Sequence, residues 1–150
     1  MSRFHTVVVP VDFSEHAVVA LDLAIALTRE AQGKIHLLHA YEVPLGAIPP
    51  YGVAVPPTLI EQVRDAAARR LEKSAQRVEA AGVACETHVL HAAPADAILE
   101  VASSTGADLI VMGTRGLTGV KHVLLGSVAE RTVRTAPCPV LTIRSKSDSA

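Results

Sequence analysis

The sequence predicts an α/β fold: one open sheet of five parallel strands with helices on both faces, for which the strand order 3-2-1-4-5 is taken as the working assumption. Three observations predict the parallel sheet and its cover. Short apolar runs alternate with longer segments of helical period, the mark of repeated strand–helix–strand units. The first and fourth runs, residues 6–11 and 107–112, are almost continuously apolar, as strands covered on both faces must be. The chain has 150 residues, 49% hydrophobic and 19% charged, enough for one substantial core. No internal repeat divides it, so residues 1–144 read as one domain followed by a polar tail, 145–150.

Residues 6–11 are β-branched apart from Pro10, and 12–14 turn the chain. Over residues 15–32, Val18, Leu21, Ile25 and Thr28 recur at helical spacing, and Gly33 is placed to end that helix as its left-handed cap. Residues 34–40 form the second strand. Residues 41–57 hold Pro44, Pro49, Pro50, Pro56 and Pro57 with Gly46 and Gly52, which excludes a regular element; such a stretch is either a flap over a site or a solvated insertion. The longest helix, 58–81, carries Leu59, Val63, Ala66, Ala67, Leu71, Ala75 and Val78 on one stripe. Residues 83–90 are the third strand, Pro94 opens the helix 95–104, and 107–112 are the fourth strand. Ser127 opens a helix to 135, and a stiff Ala136-Pro137-Cys138-Pro139 connector leads into the last strand, Val140, Leu141, Thr142 and Ile143.

Composition excludes several functions. The net charge is −1, without the basic field of a general nucleic-acid or membrane-surface binder. Two Phe, two Tyr and no Trp leave little aromatic surface for stacking bases. Cys85 and Cys138 lie far apart, both in strand-like runs, and suggest neither a zinc site nor a disulfide framework. No apolar leader and no run of membrane-span length is present, so a reducing cytoplasm is the expected home.

The most informative stretch is 113–127. A strand, a Gly-rich loop with Arg115 and Lys121, and a helix N-terminus together make an anion-binding device. Glycines let backbone N–H groups approach, and unpaired first-turn amides favour a phosphate. The loop is not a Walker A motif, because Ser127 follows Gly126 with no lysine between, and the spacing of Gly113, Gly116 and Gly119 is not the dinucleotide fingerprint. In the competing reading these glycines are ordinary turn residues, and Ser127 with Glu130 is only a capping box. Topology supports the ligand: Asp12 ends the first strand and Gly113 the fourth, on opposite sides of the crevice where strand order reverses. Asp12 with Glu15 also fits a capping box, and its position at the crevice favours the ligand role over that reading.

Gly-x2-Gly-x9-Gly-Ser, Val9-Pro10-Val11-Asp12-Phe13-Ser14, Asp108-Leu109-Ile110-Val111-Met112-Gly113, Leu125-Gly126-Ser127-Val128-Ala129-Glu130 and Pro137-Cys138-Pro139-Val140-Leu141 together resemble the universal stress protein family in its ATP-binding branch. That likeness spans nearly the whole chain and implies a Rossmann-like fold of the adenine nucleotide alpha hydrolase type. It implies that Gly113, Arg115, Gly116, Gly126 and Ser127 hold phosphates and ribose, with Val128 adding an amide and Pro10 and Ala40 lining the adenine pocket. Val11 and Met112 flank that pocket, and Val89 faces the base edge. Asp12 would bond near the ribose or reach a nucleotide-bound Mg²⁺.

The expected function is an ATP-binding stress sensor or regulator that holds ATP, ADP or AMP. Its rivals are a slow ATP hydrolase or nucleotidyl-transferring enzyme, and a nucleotide-free dimerisation module. Rapid phosphoryl transfer would need a positioned base and stronger charge neutralisation than the crevice offers. The resemblance also implies a homodimer through the uncharged last strand. One departure is alanine at Ala92, where the family often has Gly-x-Pro, ahead of Pro94. The histidines His36, His39, His88 and His91 lack a Cys or carboxylate partner at ligand spacing and read as solvated. Asp12, Ser14 and His16 contain triad residue types, but no nucleophile elbow presents the serine.

Overall fold

The computed structural model describes residues 4–43, 56–116 and 125–145. The proline-rich segment 44–55, Lys121 and the tail 146–150 lie outside the described residues, as does the question of a flap.

The elements follow in the expected order: β1 Thr6–Pro10, α1 Glu15–Ala31, β2 Lys34–Tyr41, α2 Pro57–Ala80, β3 Ala84–His91, α3 Pro94–Thr105, β4 Leu109–Gly113, α4 Ser127–Thr135 and β5 Val140–Ile143. The five strands form one sheet in the order β3-β2-β1-β4-β5. Every pairing is parallel, with Val8 opposite His36 and Ile110, and Ile110 opposite Val140.

Alternation along the strands splits the core into two layers. Val7, Val9, Ile35, Leu37, Leu109 and Val111 face Leu21 and Ile25 of α1 and Leu71 and Val78 of α2. Val8, Leu38, Ile110 and Met112 face Ile98 and Val101 of α3 and Ala129 of α4. Asp108, the break in the fourth apolar run, is a clamp: Oδ2 accepts from His5 N at 2.9 Å and Thr6 N at 3.1 Å, which ties the start of β4 to that of β1.

Several local expectations are corrected. The left-handed residue that caps α1 is Gln32 (φ 54°), not Gly33. Gly33 is required for a different reason, since a Cβ there would stand 2.6 Å from His5 O. On α1, Val18 is exposed and Ala17 and Ala24 take the core positions, because small residues let the helix lie close to the sheet. On α2 the buried stripe is Ala67, Leu71, Ala75 and Val78; Leu59 and Val63, in the first turns, are exposed. Cys138 lies in the connector ahead of β5 and packs against the α3–α4 layer. Ser145, assigned to the polar tail, is buried.

Candidate functional site

The crevice forms where strand order reverses, at the carboxyl ends of β1 and β4, as open α/β sheets dictate. A cavity of about 430 Å³ opens there, a size within the usual range of small-molecule sites, about 300–1,000 Å³. Its walls include Pro10 at the end of β1 with Val11 and Asp12 after it, Ala40 on β2, Met112 to Gly116 at the end of β4, and Gly126, Ser127 and Val128 at the start of α4. Of the sequence-predicted site residues, all but Val89 are brought together.

Val89 lies elsewhere because of register. It pairs with His39 and points to the layer of α1 and α2, whereas Ala40 and its partner Leu90 point to the layer that carries the cavity. A one-residue difference in a strand changes faces. In the other direction, Ala17, Leu38, Thr114, Pro94, Ile98 and Ala129 line the cavity without having been singled out. Parity gave a usable signal for Leu38, two residues before Ala40 on one strand. Thr114 sits between two residues already chosen.

The capping readings are resolved by the helix starts. At α1 the N-cap is Ser14, whose Oγ accepts from Ala17 N at 3.3 Å. Asp12 is outside the helix, and its Oδ1 accepts from Ser14 N at 3.0 Å. The next residue, Phe13, has φ 64°, unfavourable for a bulky side chain. Its ring is held by His39, 4.6 Å away, and by the Arg70 guanidinium 4.0 Å over its face. His39 Nδ1 in turn lies 2.7 Å from Val11 O. These contacts over-determine the turn that projects Asp12. At α4 the N-cap is Gly126, with no side-chain capping bond, so the Ser127–Glu130 capping box does not form. Ser127 is instead the first helical residue and lines the cavity.

The glycines have distinct steric reasons. A Cβ on Gly113 would stand 2.7 Å from His16 Cβ, so this glycine lets α1 close on β4. A Cβ on Gly116 would stand 2.5 Å from Asp12 Oδ2, so this one admits the carboxylate across the crevice. Gly126 donates to Thr114 O at 2.6 Å and leaves 3.3 Å between that oxygen and a Cβ. Ala92, the departure before α3, is unstrained: it has no positive φ, and its N donates to Tyr41 O at 3.2 Å.

Two polar groups give the cavity its chemistry. Arg115 is 8% exposed, a guanidinium held in the wall of the site. Thr114 is 7% exposed, and its Oγ1 is buried with no hydrogen-bond partner among the described residues. A buried hydroxyl without a partner costs about 1–3 kcal/mol, a cost that a bound oxyanion would remove. Together with the first-turn amides of α4, these groups suit an anion; Pro10, Leu38, Ala40 and Ile98 suit a flat apolar ring.

Comparisons with known proteins agree with this architecture. The sequence model of the universal stress protein family matches residues 3–144. Universal stress protein MJ0531 of Methanocaldococcus jannaschii is 34% identical over 142 residues, covering 94% of this chain and 82% of that protein. The solved structure of MJ0577, from the same organism, is 26% identical with a TM-score of 0.83 over 95% of this chain and 97% of that one. A universal stress protein solved in complex with cAMP is 27% identical, TM-score 0.71, over 93% and 97% of the two chains. One from Archaeoglobus fulgidus in complex with dAMP is 25% identical, TM-score 0.65, over 95% and 99%.

Proposed function

This chain belongs to the universal stress protein family, and from that premise we propose that it binds ATP in the crevice between β1 and β4 and acts as a nucleotide-dependent sensor or regulator. The observation that carries the reading is the unpartnered Thr114 hydroxyl beside buried Arg115 at the start of α4, in a cavity otherwise walled by apolar side chains. Two structural neighbours were solved with adenine nucleotides, cAMP and dAMP, which supports the same ligand class here. The phosphates would lie against Gly113, Arg115, Gly116, Gly126, Ser127 and Val128. The adenine would lie against Pro10, Val11, Ala40 and Met112.

Asp12 is the only carboxylate among the described lining residues, and it would meet the ribose or a Mg²⁺ carried by the nucleotide. No lysine accompanies it among those residues. One carboxylate and one guanidinium fit holding a nucleotide better than rapid phosphoryl transfer. Turnover in the ordinary enzyme range, about 1–10³ per second, would favour the hydrolase reading instead.

The reading extends to assembly and place. β5 is an edge strand with Leu141 exposed, and Val140, Leu141, Thr142 and Ile143 offer an uncharged edge to a second copy. A cytoplasmic home accords with two free cysteines, and among the described residues no helix is long and apolar enough to cross a membrane.

The test is to denature the purified protein and identify released nucleotide by mass spectrometry, with Gly126→Val as control. The added methyl groups would crowd Thr114 O and the Arg115 backbone. ATP from the native chain and none from the folded variant is the expected result. No released nucleotide, and no thermal shift on adding ATP, would refute it.

A further inference from the structure

On the sheet face that carries the cavity, next to cavity-lining Leu38 and toward the sheet edge, three metal-ligating side chains converge. His36 on β2 pairs in register with Glu86 on β3, and His88 is the next β3 residue on that face. Their donor atoms all lie within 4.8 Å of one another. The sequence reading treated these histidines as solvated and without a carboxylate; the register supplies Glu86, and His36 is buried. We propose that His36, Glu86 and His88 form a binding site for a divalent transition-metal ion of the zinc class, separate from the nucleotide crevice.

The geometry is close to what such an ion needs. His36 Nδ1 lies 2.9 Å from His88 Nε2, Glu86 Oε2 lies 3.9 Å from His36 Nδ1, and Glu86 Oε1 lies 3.9 Å from His88 Nε2. Tetrahedral zinc with bonds of about 2.0–2.2 Å sets its donors about 3.3–3.6 Å apart. The two rings must spread by a few tenths of an ångström and a single Glu86 oxygen must close in from within 4.8 Å, within the reach of ordinary χ rotation. Two imidazoles and a carboxylate are a donor set that zinc accepts, with a fourth position left for water. Glu86 is exposed and His88 partly so, which gives the ion a path from solvent, while buried His36 anchors the site.

Protonation favours binding. Burial, and then the neighbouring His88, hold the His36 ring below its ordinary value, so at neutral pH it is a neutral ligand. In the metal-free pair one ring nitrogen donates to the other. Binding moves that proton to the far nitrogen of its own ring, and both facing lone pairs then meet the ion. Lys34 opposes binding: its Nζ lies 2.6 Å from Glu86 Oε2 and competes for the carboxylate. His36 lies two residues along β2 from Leu38, the nearest cavity-lining residue of that strand, roughly 7 Å at about 3.3 Å each, and His88 pairs with Leu38 in register. An ion there would pin the edge strand β3 to β2.

The experiment uses the full chain, stripped with chelator and free of nucleotide. Zn²⁺ is titrated by calorimetry, and Co²⁺ is added for its visible absorption in tetrahedral coordination. One equivalent of Zn²⁺ and a tetrahedral Co²⁺ spectrum are expected. Glu86→Gln and His88→Gln, at exposed and partly exposed positions, should each weaken binding at least about tenfold, as loss of even a supporting ligand contact does. Lys34→Gln should tighten it. The wild-type melting temperature should rise with Zn²⁺ and those of the two ligand variants should not. No binding by the wild type, or unchanged affinity in either ligand variant with its fold intact, would overturn the proposal.

Discussion

Gly116→Ala tests the crevice geometry directly. Gly116 has no positive φ, so alanine meets no backbone penalty there. The added Cβ would stand 2.5 Å from Asp12 Oδ2, and among the described residues it meets only the Asp12 carboxyl group. Restoring an ordinary 3.4 Å contact requires the carboxylate to retreat by about 0.9 Å. Asp12 Oδ1 accepts from Ser14 N at 3.0 Å, and where the retreat runs along that bond the pair is stretched to about 3.9 Å, beyond hydrogen-bonding distance, whereas a swing of Oδ2 about χ2 leaves it intact at little cost. Loss of a hydrogen bond to a charged group costs about 1.5–3 kcal/mol, or about 3–12 °C in melting temperature for a domain of this size. In an Asp12→Ala background the oxygen is gone, and the same glycine-to-alanine change should be neutral or stabilising by about 0.4–1 kcal/mol through the unfolded chain. Urea unfolding of the four proteins, without nucleotide, closes the cycle. Equal costs in both backgrounds would refute the carboxylate contact, and no cost in either would refute the stretched bond.

Other consequences can be checked with the same protein. Gly113→Ala should cost about 1–3 kcal/mol, seen as a lower urea midpoint, because its Cβ meets His16 Cβ at 2.7 Å and the backbone of α1 must move. The Cys85 thiol is pushed up to about 11 by burial and then by Glu79 and Glu72. At pH 8.5 its thiolate should be several tens of times, up to about a hundredfold, scarcer than that of a free cysteine, and alkylation of its peptide should climb about tenfold per pH unit to pH 10. Fast alkylation of the folded chain at pH 8 would contradict this. The native His36 ring is held below its unfolded value by burial and His88, so the unfolded chain binds more protons as pH falls below about 6.5. Native stability should therefore decline from pH 6.5 toward the lower folded value, and His36→Gln should flatten that slope in urea midpoints.

How far the sequence could be read depended on the kind of signal. The covered parallel sheet was legible because continuous apolar runs at β1 and β4 demand cover on both faces, and the crevice followed from Asp12 and Gly113 ending those runs once the order 3-2-1-4-5 was assumed. Pro10, Ala40 and Val89 entered as site residues from the family likeness, and Val89 fails there because its register opposite His39 turns it, with Val83 and Cys85, to the layer of α1 and α2. Cap residues were read from residue type alone. Gln32 takes the left-handed position and Gly33 the close approach to His5, a choice set by a neighbouring chain segment. The first turns of α2 carry an apolar stripe that the fold leaves exposed, so periodicity overstated burial at Leu59 and Val63. The His36–Glu86–His88 cluster was invisible for the same reason as Val89: it exists only once β2 and β3 are in register.

The glycines at the crevice complicate any test of the ligand by mutation. None of Gly113, Gly116 and Gly126 has a positive φ; each is glycine because a neighbour comes close. Replacing them perturbs α1, Asp12 or the start of α4 before it perturbs any phosphate, and lost affinity alone would not identify a contact. Thr114→Val separates the two effects because their signs differ. The hydroxyl has no partner among the described residues, while the backbone of Thr114 is held by its bonds to Ile143 O and from Gly126 N. An apolar group of the same shape should leave stability unchanged or raise it by up to about 1–3 kcal/mol. If that hydroxyl meets a phosphate, the same substitution should cost about 1.5–3 kcal/mol of binding, about a tenfold to hundredfold loss. Urea midpoints and ATP titration on one preparation read both quantities. A higher midpoint with weaker ATP binding would assign the hydroxyl to the ligand; a lower midpoint with unchanged affinity would assign it to the fold and remove the observation on which the nucleotide reading rests.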